Sequence, residues 1–222
     1  MTYLISSLLL IVVGIGFGSW AAISAAFKTI HEWDEDQHTM YDSILTSICM
    51  LGSAFGALLC EPFFKYGKLK IMIYMNVLLI ASISLCMINV IWVITIGRFF
   101  WGVSFGCMSV VCAKYSNEIC PIEYKGPFGA LNQNLLCFGM CIPTTMALAI
   151  PNPPKDKEDW YVNFYWRLIW LAPLVIAVIQ TILLLTCYNH ETPVHLLERG
   201  ETKKLGKVMR KIYQTKEIDS RT

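Results

Sequence analysis

Charge is scarce in this sequence. Asp, Glu, Lys and Arg make up 15% of its 222 residues, where a soluble domain would carry about a quarter. The net charge is only +2 and no basic run is present, so nucleic acid is not an expected partner. There are nine cysteines but no CxxC pair and no Cys/His cluster, which argues against a zinc site or a disulfide framework. His31, His38, His190 and His195 fall in loop or tail segments without a ligand constellation. No nucleophile–base pair, metal-ligand spacing or phosphate loop is visible, so neither an enzyme nor a resident cofactor is expected. The N-terminus lacks a positive charge ahead of its apolar run, and that run, residues 4–27, is longer than the core of a secretory signal. A retained first membrane helix is therefore favoured over a signal peptide, although Ser24, Ala25 and Ala26 would suit a cleavage site. No Arg- and Ser-rich presequence is present.

Hydrophobic residues are plentiful instead, at 55%, with a mean hydropathy of +0.52. They come in blocks. A helix needs about 20 apolar residues to cross a bilayer, and six stretches qualify, at 4–27, 41–60, 70–89, 91–113, 128–150 and 168–188. Open spans in lipid must be helical, because lipid offers backbone polar groups no partner. The expected fold is thus an all-α membrane protein of six transmembrane helices. Most cysteines lie within these blocks and read as buried thiols. The fifth span carries Asn132, Gln133, Asn134 and Pro143, so one of its faces should meet protein or water.

Loop charge sets an orientation. Glu32, Asp34, Glu35 and Asp36 follow span 1, whereas Lys65, Lys68 and Lys70 follow span 2. The tail after residue 188 holds Arg199, Lys203, Lys204, Lys207, Arg210, Lys211, Lys216 and Arg221. Positive charge marks the cytoplasmic-equivalent side, which places the basic loop and both termini together. Two regions follow: a bundle at 1–188 and a basic tail at 189–222. In the tail, Thr192 and Pro193 can start a short helix that Gly200 ends. Leu205, Val208, Met209 and Ile212 then form an apolar stripe. Such a helix lies on the membrane surface or docks under the bundle.

The stretch Gly97-Arg98-Phe99-Phe100-Trp101-Gly102, followed by Tyr115, Glu118, Pro121, Lys125-Gly126, Gly129 and Gln133, resembles helices four and five of the sugar porter branch of the major facilitator superfamily, the group of the glucose facilitators. Trp166-Arg167, Glu191-Thr192-Pro193 and Leu196-Leu197-Glu198-Arg199-Gly200 extend the resemblance over nearly the whole chain, as far as the point where a second six-helix half would begin. It implies one half of a twelve-helix transporter. Gly102 and Gly106 would let span 4 approach a neighbour closely, and Gly126 and Gly129 match further packing positions. Arg98 lies in an apolar block and is either paired or snorkelling from near a helix end. Glu118, Lys125 and Glu191 match charges that latch the two halves in the family; a local Glu118–Lys125 pair is the alternative.

The resemblance also has gaps. The family's acidic loop position is Phe64 here, and of its Gly-Arg-Arg/Lys run only Gly67 and Lys68 remain, with Leu69 next. His190 and Val194 replace a Pro and an Arg. At the implied sugar site Phe17 and Gln133 match, but Ala21 and Ala25 stand where facilitators have Thr and Asn. Trp20 stands where proton-coupled relatives have Asp. Each sugar hydroxyl left without a buried partner costs about 1–3 kcal/mol. Two functions are therefore carried forward. One is a transporter-derived half kept as a structural or accessory subunit of a larger membrane complex, transport-inactive alone. The other is a half-size sugar or small-solute transporter working as a dimer or with a separate second half. Its partners would be membrane lipid and either other membrane subunits or that second half. An energy-transducing membrane such as the mitochondrial inner membrane would suit the accessory role, since large assemblies there recruit extra subunits.

Overall fold

The computed structural model describes residues 2–119, 125–148, 160–186 and Leu197. It contains α1 (Thr2–His31), α2 (Glu35–Phe63), a short 3-10 turn (Phe64–Tyr66), α3 (Lys68–Cys86), α4 (Ile91–Ile119), α5 (Lys125–Ala147) and α6 (Trp160–Thr186), with no strand among the described residues. This is an all-α membrane fold. Each expected span is a helix, and most run past the apolar block into polar sequence, as at Lys28–His31 and Glu35–Met40. Five of the helices are long and apolar enough to cross a membrane. The one below that threshold is α5, whose Asn132, Gln133 and Asn134 lower its hydropathy. The tail expected at 189–222, with its short helices and Glu191, lies outside the described residues apart from Leu197.

The connections are tight and locally encoded. Glu32 adopts a left-handed conformation (φ 52°) and the Trp33 amide donates to the Lys28 carbonyl at 3.1 Å, a Schellman-type stop for α1. Gly67 has φ 105° between the 3-10 turn and α3, a value that disfavours any side chain, which accounts for the glycine in that loop.

The helices do not pack in chain order. α2 lies along α4 and α1 along α5, while α3 joins α4 and α6, and α1 also meets α6 and α4. Exchanging α1–α3 for α4–α6 maps the α2–α4 pair onto α5–α1 and the α3–α4 pair onto α6–α1. Three helices per triplet place the second triplet in inverted topology. Glycines close both principal pairs. A Cβ built on Gly102 would strike the carbonyl oxygen of Cys49, and one on Gly106 that of Ser53. From the other side, Gly52 and Gly56 face the carbonyls of Phe99 and Val103. Gly14, Gly18 and Gly139 do the same between α1 and α5. Between the triplets sits an aromatic core of Phe27, Trp101, Phe105, Trp166 and Trp170, all buried. Leu51, Phe55, Leu58, Leu59, Val175, Ile179 and Ile182 face outward on α2 and α6, where lipid rather than water is their natural contact.

Candidate functional site

The residues singled out for solute binding lie on α1 and α5. On α1, Phe17, Ala21 and Ala25 recur every fourth residue and share one face. Both alanines are exposed, whereas Phe17 is partly buried with its ring 5.1 Å from that of Phe105. On α5, Gln133, Cys137 and Cys141 recur in the same way and are exposed, with Thr144 and Thr145 continuing the stripe. The two threonine hydroxyls are satisfied within the helix, donating to the carbonyls of Met140 and Cys141 at 3.0 and 2.7 Å. The glycine contacts fix the register of the two helices. Gly14 lies against Leu136 and Gly139, and Gly18 against Met140 and Pro143, so α1 and α5 run parallel. Gln133 therefore lies about two turns, or about 11 Å, nearer the helix starts than Phe17. Phe17 and Gln133 therefore do not touch. Gly126 and Gly129, at the start of α5, have no atom of the described residues within 4 Å of where a Cβ would stand.

Arg98 does not snorkel. It is 2% exposed, seven residues into α4, with its guanidinium carbon 5.1 Å from the centroid of Trp20 and 5.5 Å from that of Trp101. Its Nε and Nη1 have no hydrogen-bond partner among the described residues. Trp20 also donates its indole N–H to Asp42 Oδ1 on α2 at 2.6 Å. Sequence reading did not single out Asp42. The only signal it offered was an acidic residue inside an otherwise apolar span.

At the basic end, Glu118 near the end of α4 forms an ion pair with Lys68, the first residue of α3. The expected local partner, Lys125, opens α5, and its side chain lies outside the described residues. Lys114 pairs with Glu61 at 3.5 Å and also sits 4.1 Å above the Phe64 ring, with Lys68 5.9 Å from the same ring. Phe64, which read as a lost carboxylate, is an aromatic acceptor for two lysines. Cys49, Cys60, Cys86, Cys107 and Cys112 are free and buried, whereas Cys137 and Cys141 are exposed. No cluster of metal-ligating side chains occurs among the described residues.

Residues 4–222 match the family model described as sugar (and other) transporter. The chain is similar to hexose transporter 1 of Plasmodium falciparum, at 27% identity over 187 residues that cover 82% of this chain and 37% of that protein. It is also similar to the glucose transporter GlcP of Staphylococcus epidermidis, at 27% identity over 201 residues, 89% of this chain and 42% of that protein. Among solved structures, the proton:xylose symporter XylE bound to 6-bromo-6-deoxy-D-glucose superposes with a TM-score of 0.79 at 18% identity, covering 95% of this chain and 49% of that one. The inward-open conformation of XylE from E. coli gives 0.79 at 16% identity, covering 96% and 52%. The chain thus spans about two fifths of the length of these curated relatives and about half of these structures.

Proposed function

Since the chain belongs to the sugar transporter family of the major facilitator superfamily, we propose that its six-helix unit supplies one wall of a sugar path and works against a second six-helix unit. That unit could be another copy, a separate chain or further residues of the same polypeptide. The protein is an integral, multi-pass membrane protein. The observation that carries the reading is the polar stripe of Gln133, Cys137 and Cys141 along an exposed face of α5, beside the small-residue face of Ala21 and Ala25 on α1. An amide at membrane depth is costly against lipid and stable against water or protein. Gln133 is the group placed to hydrogen-bond a sugar hydroxyl, and Phe17 the apolar surface for the sugar ring. Lys65, Lys68 and Lys70 favour a cytoplasmic position for the basic end.

A structural or accessory role is the second reading. Ala21, Ala25 and Trp20 support it, because the α1 face offers a solute no hydroxyl, amide or carboxylate at those positions. The test is uptake of radiolabelled glucose and xylose into liposomes containing the chain, alone and together with the membrane proteins that purify with it. Uptake that Gln133→Ala abolishes supports the path. No uptake, together with stoichiometric co-migration in a large membrane assembly, overturns it in favour of the accessory role.

A further inference from the structure

The aromatic core between the triplets is rich in hydrogen-bond donors and poor in acceptors. Arg98 Nε and Nη1, Trp101 Nε1 and Trp170 Nε1 are buried without a hydrogen-bond partner among the described residues. Their side chains adjoin one another in a row. The Arg98 guanidinium carbon is 5.5 Å from the centroid of the Trp101 ring, and the centroids of Trp101 and Trp170 are 6.0 Å apart. Phe27, Phe105 and Trp166 pack around the row and add no acceptor. Arg and Trp side chains can only donate, so no rotation of these groups lets one satisfy another. Acceptors beside the row are already engaged. Asp42 receives the Trp20 indole N–H at 2.6 Å. The carbonyl of Gly16, whose residue faces the Trp101 nitrogen from α1, receives the Ser19 hydroxyl at 2.9 Å. No carboxylate forms an ion pair with Arg98 among the described residues. Unpaired buried donors are costly, and a buried charge without a partner is more so.

We propose that Arg98, Trp101 and Trp170 bind a small monovalent anion of halide size inside the bundle. The donor set itself selects that class of ligand. A water molecule would accept from these groups, but it would bring two O–H donors of its own to a place that lacks acceptors. A halide only accepts, and its charge balances the guanidinium, which stays charged when buried. The row holds a single cation, which suits a monovalent ion rather than sulfate or phosphate. Arg98 and Trp101 belong to α4 and Trp170 to α6, and Trp101 Nε1 lies 2.9 Å from where a Cβ on Gly16 of α1 would stand. The anion thus links α4 to α6 beside α1, and its binding stabilises the folded bundle by mass action. It does not depend on whether the chain carries sugar.

The experiment uses the full chain in phosphatidylcholine nanodiscs at fixed pH and ionic strength, with sodium gluconate replaced stepwise by sodium chloride. The thermal midpoint is expected to rise with chloride and to saturate. Trp101→Phe keeps a ring and removes its N–H, so the chloride concentration for half the effect should rise about tenfold. Arg98→Met should abolish the effect. Iodide quenches tryptophan on contact, and its titration should show a saturable component that chloride displaces. A midpoint indifferent to chloride, or iodide quenching that chloride does not displace, overturns the proposal. An unchanged chloride response in Arg98→Met also overturns it, because the ion would then bind elsewhere. Should Arg98→Met not fold, Trp101→Phe decides alone, since an unchanged chloride requirement would exclude the Trp101 N–H as a ligand. Sugar uptake does not enter either measurement, so failure of the transport reading leaves the result interpretable.

Discussion

Lys68 and Glu118 are 50 positions apart and form an ion pair at the basic end of the bundle, with Lys68 only 8% exposed. The pair ties the first turn of α3 to the last turns of α4. It is internal to this six-helix unit. Glu118→Gln removes the charge while keeping the shape. A half-buried charge-assisted bond of this kind contributes about 1.5–3 kcal/mol. Glu118→Gln and Lys68→Met are each expected to lower the thermal midpoint in detergent. The double variant is expected to fall by less than the sum of the two, which a double-mutant cycle measures directly.

The Phe64 ring is predicted to stabilise the same end without any charge of its own. Lys114 lies 4.1 Å from its centroid, a close cation–π contact, and Lys68 adds a longer one. Phe64→Leu keeps the apolar volume and loses both, so it should cost about 0.5–1 kcal/mol each at this partly exposed site. Phe64→Tyr should be close to neutral. Thermal unfolding of both variants in one detergent checks this, and an unchanged Phe64→Leu would show that the lysines do not use the ring.

How much of this was readable in the residues varies from place to place. The six helices follow from apolar length, a property of each segment alone, and the glycine spacing at 102 and 106 identified α4 as a close-packing helix. Which helix it packs against was not legible. The answer, α2, depends on inverted pairing of two triplets, and periodicity within one helix contains nothing about its neighbour. The Lys68–Glu118 pair was missed for the same reason. Phe64 was read as a missing carboxylate because a motif records residue types, whereas a ring can receive a lysine by different physics. Asp42 passed unnoticed because its significance comes entirely from Trp20 and Arg98, which arrive on two other helices. Arg98 itself was visible as an anomaly, but whether it snorkelled or was caged depended on Trp101 facing inward.

The helix-contact glycines divide into two sets with opposite predictions. Gly102 and Gly106 on α4 face backbone carbonyls of α2, so any Cβ must push the helices apart. Overpacking of this kind costs about 1–3 kcal/mol, and Gly106→Val is expected to lower the thermal midpoint and the yield of monodisperse protein. Gly126 and Gly129 meet open space among the described residues, so alanine there should be neutral or slightly stabilising, since it restricts the unfolded chain. If Gly126→Ala or Gly129→Ala proves as harmful as Gly106→Val, those glycines pack against something other than the described helices.

The cysteines give a direct reading of what α5 faces. Cys137 and Cys141 are exposed on the same stripe as Gln133, whereas Cys49, Cys60, Cys86, Cys107 and Cys112 are buried between helices. A thiol reacts with a maleimide as its thiolate, and the thiolate forms where water reaches it, not in hydrocarbon. If the α5 stripe lines an aqueous path, Cys137 and Cys141 will react with a membrane-impermeant maleimide in intact liposomes. The five buried thiols will react only after unfolding. Sugar that occupies the path should slow labelling at Cys137, one turn from Gln133. If the stripe faces lipid, or is sealed by a partner subunit, both thiols will resist the reagent in the native membrane. In the sealed case they will become reactive when that partner is stripped away in detergent. Peptide mass spectrometry at Cys137 and Cys141 in these three states therefore separates a working wall from an accessory surface, without requiring that any transport be observed.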